Sequence, residues 1–347
     1  MKIFVSPKHS LHWLKVEFSL GQAKPCFETP SRVEVVIDQL KERQLGKISM
    51  PDSYPIEHIT KIHSSDYIDF LQTCWAEWEQ VAGPDTDALA SVFFRPDQRH
   101  RKPDHIEGKL GYYSGDLTAG LGRDSWQAIK SSADSALSGA DCILRDERAA
   151  FSLCRPAGHH ASKELMAGYC YVNNAAVAAQ YLRDNGCTKV AILDIDYHHG
   201  NGTQSIFYER GDVFCVSIHG DPHCEYPFYL GYADEQGEGK GVGYNLNLPL
   251  PLGTTTWNEY SVALNTSIKK IADYAPNALV VSLGVDTYEG DAISHFKLKS
   301  GDFLAIGTML EAMKLPTLFV FEGGYGGNEL GLNTVNVLEA FDQAANN

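Results

Sequence analysis

Short unbroken runs of aliphatic and β-branched residues recur along the chain, separated by helix-length segments, and this alternation limits the fold more than any other feature. The runs Lys2 to Val5, Ala150 to Leu153, Val190 to Ile195, Val213 to Ile218, Ala278 to Leu283 and Thr317 to Phe321 are predicted strands. Helices are predicted at Arg32 to Leu45, Ser125 to Leu144, Asn173 to Asn185, Trp257 to Tyr274 and Gly301 to Met313, with a last one after Asn328. Strands without polar alternation are buried on both faces, so the pattern predicts an α/β fold with a central, mostly parallel β-sheet flanked by helices on both faces. In such sheets ligands bind beyond the carboxyl ends of the strands.

A length of 347 residues would allow two domains, but no repeat, low-complexity tract or second domain is visible. One domain over 1–347 is therefore expected, with an inserted interface loop at about 80–122. That stretch breaks the alternation with Pro84, Pro96 and Pro103 and with the charged run Arg99, Arg101, Lys102, Asp104, Glu107 and Lys109. It is too long for an ordinary connection.

Acidic residues outnumber basic ones 44 to 29, a net charge of −15. This argues against nucleic acid as a partner, which would call for a basic footprint, and mildly favours a cationic substrate. The eight cysteines form no CxxC pair and do not read as a disulfide framework. Together with an N-terminus unlike a signal peptide and no apolar stretch long enough to span a membrane, they predict a cytoplasmic protein with no membrane partner.

The strand ends hold the chemistry. Val190 to Ile195 runs into DIDYHHGNG, where Asp194, Asp196 and His198 alternate with Ile195 and Tyr197. Period two places the three polar residues on one side of an extended chain. A carboxylate and a neutral imidazole so placed suit one divalent ion. The strand ending at Leu283 leads to Asp286, a candidate third ligand that would leave a coordination position open, as in catalytic sites. CRPAGHHA puts His159 and His160 beyond another strand, as candidate general base, general acid or electrostatic stabiliser. EGGYGGN puts Tyr325 beyond the last, where its hydroxyl could donate to an oxyanion. Neither GxxxxGK[ST] nor GxGxxG follows the first strand, which excludes the common nucleotide-binding loops.

In order, RPAGHHA, GYCYVNN, DIDYHHGNG, LGVDTYEGD and EGGY, with IHSSDYI as a weaker match, resemble the zinc-dependent histone deacetylase superfamily and its arginase/deacetylase fold. DHIEGKLGYYSGD and HGDPHCEYPFYLGYADEQGEGKG resemble the bacterial acetylpolyamine amidohydrolases more than the histone-directed members. The resemblance implies one Zn2+ on Asp196, His198 and Asp286, with iron or cobalt suited to the same ligands, and a structural K+ touched by Asp194. It implies that Asp194 orients His159, that His160 is general base and acid, and that Tyr325 polarises the scissile carbonyl. Tyr169, Tyr226 and Ile293 match positions walling the substrate tunnel. The 80–122 segment is expected to form a homodimer interface with Glu107 near the entrance, where it would attract a distal ammonium group.

Two positions depart from the family pattern. Ala157 stands where many members have proline. Asn201 stands where many histone-directed members have aspartate, so His160 lacks a negatively charged partner and should be less basic. The expected activity is hydrolysis of acetylated polyamines or similar small primary amines to acetate and free amine. The alternatives are an acetyl-lysine protein deacetylase, a two-metal ureohydrolase, which would need more carboxylates at these strand ends, and a non-catalytic acetyl-ligand-binding protein.

Overall fold

The computed structural model describes residues 1–94 and 101–345. Its strands are β1 (Lys2–Phe4), β2 (Val16–Ser19), β3 (Gln22–Pro25), β4 (Lys47–Ser49), β5 (Ala149–Ser152), β6 (Val190–Asp194), β7 (Val213–Gly220), β8 (Asn245–Leu250), β9 (Ala278–Leu283) and β10 (Thr317–Phe321). Eight of them form one sheet in the order β4-β1-β5-β10-β9-β6-β7-β8, and every pairing in it is parallel. All residues of β5, β6, β9 and β10 are buried, as continuous apolar runs require. Helices cover both faces. One core cluster joins Ile192, Val280 and Leu318 to Ala133, Leu137 and Val177 from the helices Ser125–Leu144 and Asn174–Asp184. The other joins Leu193, Val281 and Phe319 to Val36, Leu264, Ile306 and Val337 from four helices on the opposite face.

The predicted helices occur where expected, two of them at the predicted bounds, Ser125–Leu144 and Trp257–Tyr274. The latter starts at a capping box in which Glu259 reaches back to the backbone N–H of Thr256. Several elements were not expected: β4, β8, the antiparallel hairpin of β2 and β3, and helices Ser65–Ala82, Ile106–Tyr113 and Asn201–Phe207. β8 reads NLNLPL, and asparagine and proline are depleted in strands. It holds because it is an edge strand bonded only to β7, so Pro249 interrupts no second ladder.

The 80–122 segment is not structureless. Helix Ile106–Tyr113 lies within it, and Ala88 and Leu121 exchange backbone hydrogen bonds of 2.8 and 3.0 Å that draw its ends together. Pro96 and Arg99 lie outside the described residues. All eight cysteines are free. No helix among the described residues is long and apolar enough to cross a membrane.

Candidate active site

Four neighbours at the centre of the sheet, β5, β10, β9 and β6, deliver the predicted metal ligands, the paired histidines and Tyr325 from their carboxyl ends. Asp196, His198 and Asp286 meet in one buried cluster, with a ligand atom of each within 4.8 Å of the others. His198 Nδ1 lies 3.1 Å from Asp286 Oδ2 and 3.4 Å from Asp196 Oδ1. Backbone amides fix the carboxylates. Asp196 accepts from the N–H of His198 at 2.9 Å and of Gly323 at 2.8 Å, and Asp286 Oδ1 accepts from Tyr197 N–H at 2.8 Å. Gly323 is required here, since a Cβ on it would stand 2.5 Å from Asp196 Oδ2 and 2.7 Å from Asp286 Oδ2.

The donor set fits a divalent ion. Two carboxyl groups that, among the described residues, have only histidines as ion-pair partners crowd one imidazole in a buried space, where uncompensated charge is costly. Burial and the adjacent Asp196 charge push Asp286 up to about 7. Burial would also raise Asp196, but His159 and His198 outweigh it and hold its carboxyl below the usual range. Burial opposes a charge on His198 too, yet its bonds to Asp196 and Asp286 raise its pKa. Metal ligands must be deprotonated, so metal binding would release the proton that this cluster otherwise retains.

The paired histidines are driven apart electrostatically. His159 Nδ1 lies 3.0 Å from Asp194 Oδ2. Burial disfavours its charge, but Asp196 and Asp194 prevail and carry its pKa up to about 10. His160 Nδ1 lies 2.7 Å from the Asn201 amide oxygen, a neutral partner. Burial first, then the neighbouring His159 and His198 charges, push His160 well below its ordinary value. These surroundings favour charge on His159 and a neutral His160 whose Nε2 keeps its lone pair, since Nδ1–H donates to Asn201.

Tyr325 lines the cavity beside this cluster, together with His159, His160, Tyr169, Tyr226 and Ile293. Its backbone N–H donates to Asp291 Oδ2 at 2.6 Å. Arg32 braces the same loop from below. Nε donates to Gly324 O at 2.7 Å, Nη2 to Glu322 O at 2.6 Å, and the guanidinium lies 4.7 Å from the Tyr325 ring centre. Tyr226 donates through its hydroxyl to Asp116 at 2.7 Å, and Tyr169 to Glu17 at 2.7 Å.

Glu107 is the one predicted site side chain outside this constellation. It is exposed, sits in the first turn of helix Ile106–Tyr113, accepts from Ser91 Oγ, and does not line the cavity. Sequence reasoning overlooked Glu17, Phe18 and Phe27, which do line it. It also overlooked Arg32, Asp291 and Glu322, which position the lining. Glu322 Oε2 accepts from the N–H groups of Gly158 and His159 at 2.7 and 3.2 Å. Its place at the end of β10, level with the other strand ends, was the available signal.

A parallel sheet with an Asp-His-Asp cluster, paired histidines and a tyrosine at its carboxyl edge defines the class: the chain belongs to the histone deacetylase domain family, which matches residues 26–341. Within that family it is 49% identical to acetylpolyamine amidohydrolase 2 of Pseudomonas aeruginosa, over 99% of both chains. It is 46% identical to the acetylpolyamine amidohydrolase of Mycoplana ramosa, over 98% of this chain and 99% of that one. The crystal structure of the acetylpolyamine aminohydrolase from Burkholderia pseudomallei superposes with a TM-score of 0.94 at 36% identity, covering 99% of both chains.

Proposed function

We propose that the protein is a zinc-dependent amidohydrolase that removes the acetyl group from acetylated polyamines or similar small primary amines. The observation that carries this is the buried Asp196, His198 and Asp286 cluster at the foot of an aromatic-walled cavity, beside one histidine paired with Asp194 and one paired with the neutral Asn201. When bound by those three residues, zinc supplies Lewis acidity toward the acetyl oxygen and the attacking water.

The chain's own groups do the rest. Neutral His160 takes a proton from water at Nε2 as water adds to the acetyl carbon. His159, held by its hydrogen bond to Asp194, stabilises the negative charge that develops. The Tyr325 hydroxyl donates to the oxyanion, a contact of a kind worth about 3 kcal/mol. His160 returns its proton to the amine nitrogen as the C–N bond breaks, which yields acetate and free amine. Tyr169, Tyr226, Phe18 and Phe27 pack against a thin methylene chain.

The same reading includes a single catalytic domain, a cytoplasmic location, and a structural K+ at Asp194. It also includes a homodimer joined through the 80–122 segment, with Glu107 near the entrance. The substrate panel that tests it contains acetylated diamines, acetylated polyamines and acetyl-lysine peptides, assayed for acetate with the zinc-loaded protein. Acetate released chiefly from the small amines supports the proposal. Preference for the peptides favours a protein deacetylase, and binding without release favours a non-catalytic receptor.

A further inference from the structure

The wall of the cavity contains a carboxylate that the reaction itself does not use. Glu17 lies in β2 of the N-terminal hairpin, is 2% exposed, and lines the cavity. Its Oε2 accepts from the Tyr169 hydroxyl at 2.7 Å and from Phe27 N–H at 3.2 Å. Tyr169 in turn packs on Tyr325, with ring centres 5.8 Å apart, so Glu17 is separated from the catalytic tyrosine by one side chain.

Among the described residues, no lysine, arginine or histidine forms a salt bridge with Glu17. Glu28, equally buried 11 residues on (28 − 17), is held by both Arg32 and Arg155. Among the described residues, Glu17 is the only carboxylate besides Asp196 in the cavity lining, and no lysine or arginine lines it. A buried carboxylate costs free energy unless a cation compensates it. Two carboxylate oxygens offer about four acceptor sites, so the bonds on Oε2 leave capacity for another donor. Phe18, Phe27 and Ile293 give the same cavity apolar surface that suits methylenes, beside the neutral hydroxyls of Ser19 and Thr118.

We propose that Glu17 is the specificity residue that receives the first ammonium group beyond the acetamide nitrogen, and so selects acetylated amines carrying a second, cationic nitrogen over neutral acetamides. The proposal rests on the amidohydrolase reading above. The ammonium completes a charge-assisted hydrogen bond inside the cavity, whereas a neutral chain leaves the carboxylate uncompensated.

Glu17→Gln separates this role from a structural one. The amide oxygen can still accept from Tyr169 and Phe27, so the hairpin keeps its ties while the charge is lost. The probes are N-acetylputrescine and N-pentylacetamide, in which a methyl group replaces the ammonium. In the unaltered zinc-loaded protein, kcat/KM should favour N-acetylputrescine by about tenfold or more, as loss of a hydrogen bond to a charged group implies. In the variant that ratio should fall by about tenfold or more, with KM carrying most of the change. A ratio unchanged in the variant, whether both rates fall together or neither falls, overturns the inference. So does an unaltered protein that does not discriminate between the two, a result that stands even if the variant does not fold. Absence of acetate from every acetylated amine overturns the amidohydrolase reading itself, which distinguishes that failure from the failure of Glu17 alone.

Discussion

The floor of the cavity stands on the carboxyl ends of four adjacent strands in an eight-stranded sheet, whereas the wall carrying Glu17, Phe18 and Ser19 stands on a hairpin that forms a two-stranded sheet of its own. On the floor, backbone amides hold Asp196, Asp286 and Glu322, and Asp194 holds a histidine, so their positions follow from the sheet. On the hairpin, Phe18 and Leu20 are 42% and 94% exposed. The difference teaches that reactivity is placed where the backbone over-determines it, and selectivity where a short, partly exposed element can change without disturbing the sheet.

Substitutions on the floor should have the largest effects. Asp196→Ala, His198→Ala and Asp286→Ala should each lose bound zinc and abolish turnover, because two protein ligands remain. Metal content by atomic absorption together with acetate release checks this, and full metal with full rate would move the site elsewhere. Tyr325→Phe should keep metal and fold but lower kcat by about a hundredfold or more, since the hydroxyl acts mainly in the transition state. An unchanged kcat removes Tyr325 from the mechanism.

The next effect is a shift rather than a loss. Asn201→Asp gives His160 a negative partner, which favours its protonated form and raises its pKa. The neutral base is then lost at higher pH, so the acid limb of kcat/KM should move upward by about one unit, the size of a single charge contact. A profile superimposable on that of the unaltered protein would exclude His160 as the base.

On the wall, the smallest effect is expected from Glu107→Ala. Glu107 is exposed to water and lies outside the cavity lining, so its influence on the N-acetylputrescine to N-pentylacetamide ratio should be weaker than that of Glu17→Gln. A larger effect from Glu107 would reverse the comparison and place recognition of the ammonium at the entrance.

A pH test probes the packing behind the wall. His12 and His63 are fully buried. Burial, aided at His12 by Arg155, pushes both down to about 4. The same residues titrate near 6.5 in the unfolded chain, which therefore binds more protons between those pH values. Stability is thus fully present above about 6.5 and falls as the pH drops toward 4. The urea midpoint should be lower at pH 5 than at pH 7. An unchanged midpoint would place these imidazoles in contact with water.

The floor was legible in the sequence because its signals are local. Period two carries Asp194, Asp196 and His198, and each remaining residue follows an unbroken apolar run. The wall was not. VEFSLGQAKP contains only two hydrophobic residues in β2 and one alanine in β3, so neither propensity nor pattern separates it from a loop. Arg32 sits in a helix whose charged residues mostly face water, and only the fold shows that it is 4% exposed and bonded to carbonyls some 290 residues away. Helix Ser65–Ala82 was passed over although Ser64 caps it through a bond from Tyr67 N–H. Its aromatic and β-branched residues dilute the helical signal.

The central claim is that the Asp196, His198 and Asp286 cluster hydrolyses a small cationic acetamide as a metal centre. The most direct measurement is acetate release from N-acetylputrescine by metal-stripped protein titrated with zinc. The rate should be absent without metal, rise linearly and stop rising at one zinc per chain, with no such rise in Asp286→Ala. Turnover that is independent of zinc, or a zinc-saturated protein that leaves N-acetylputrescine intact, would contradict it.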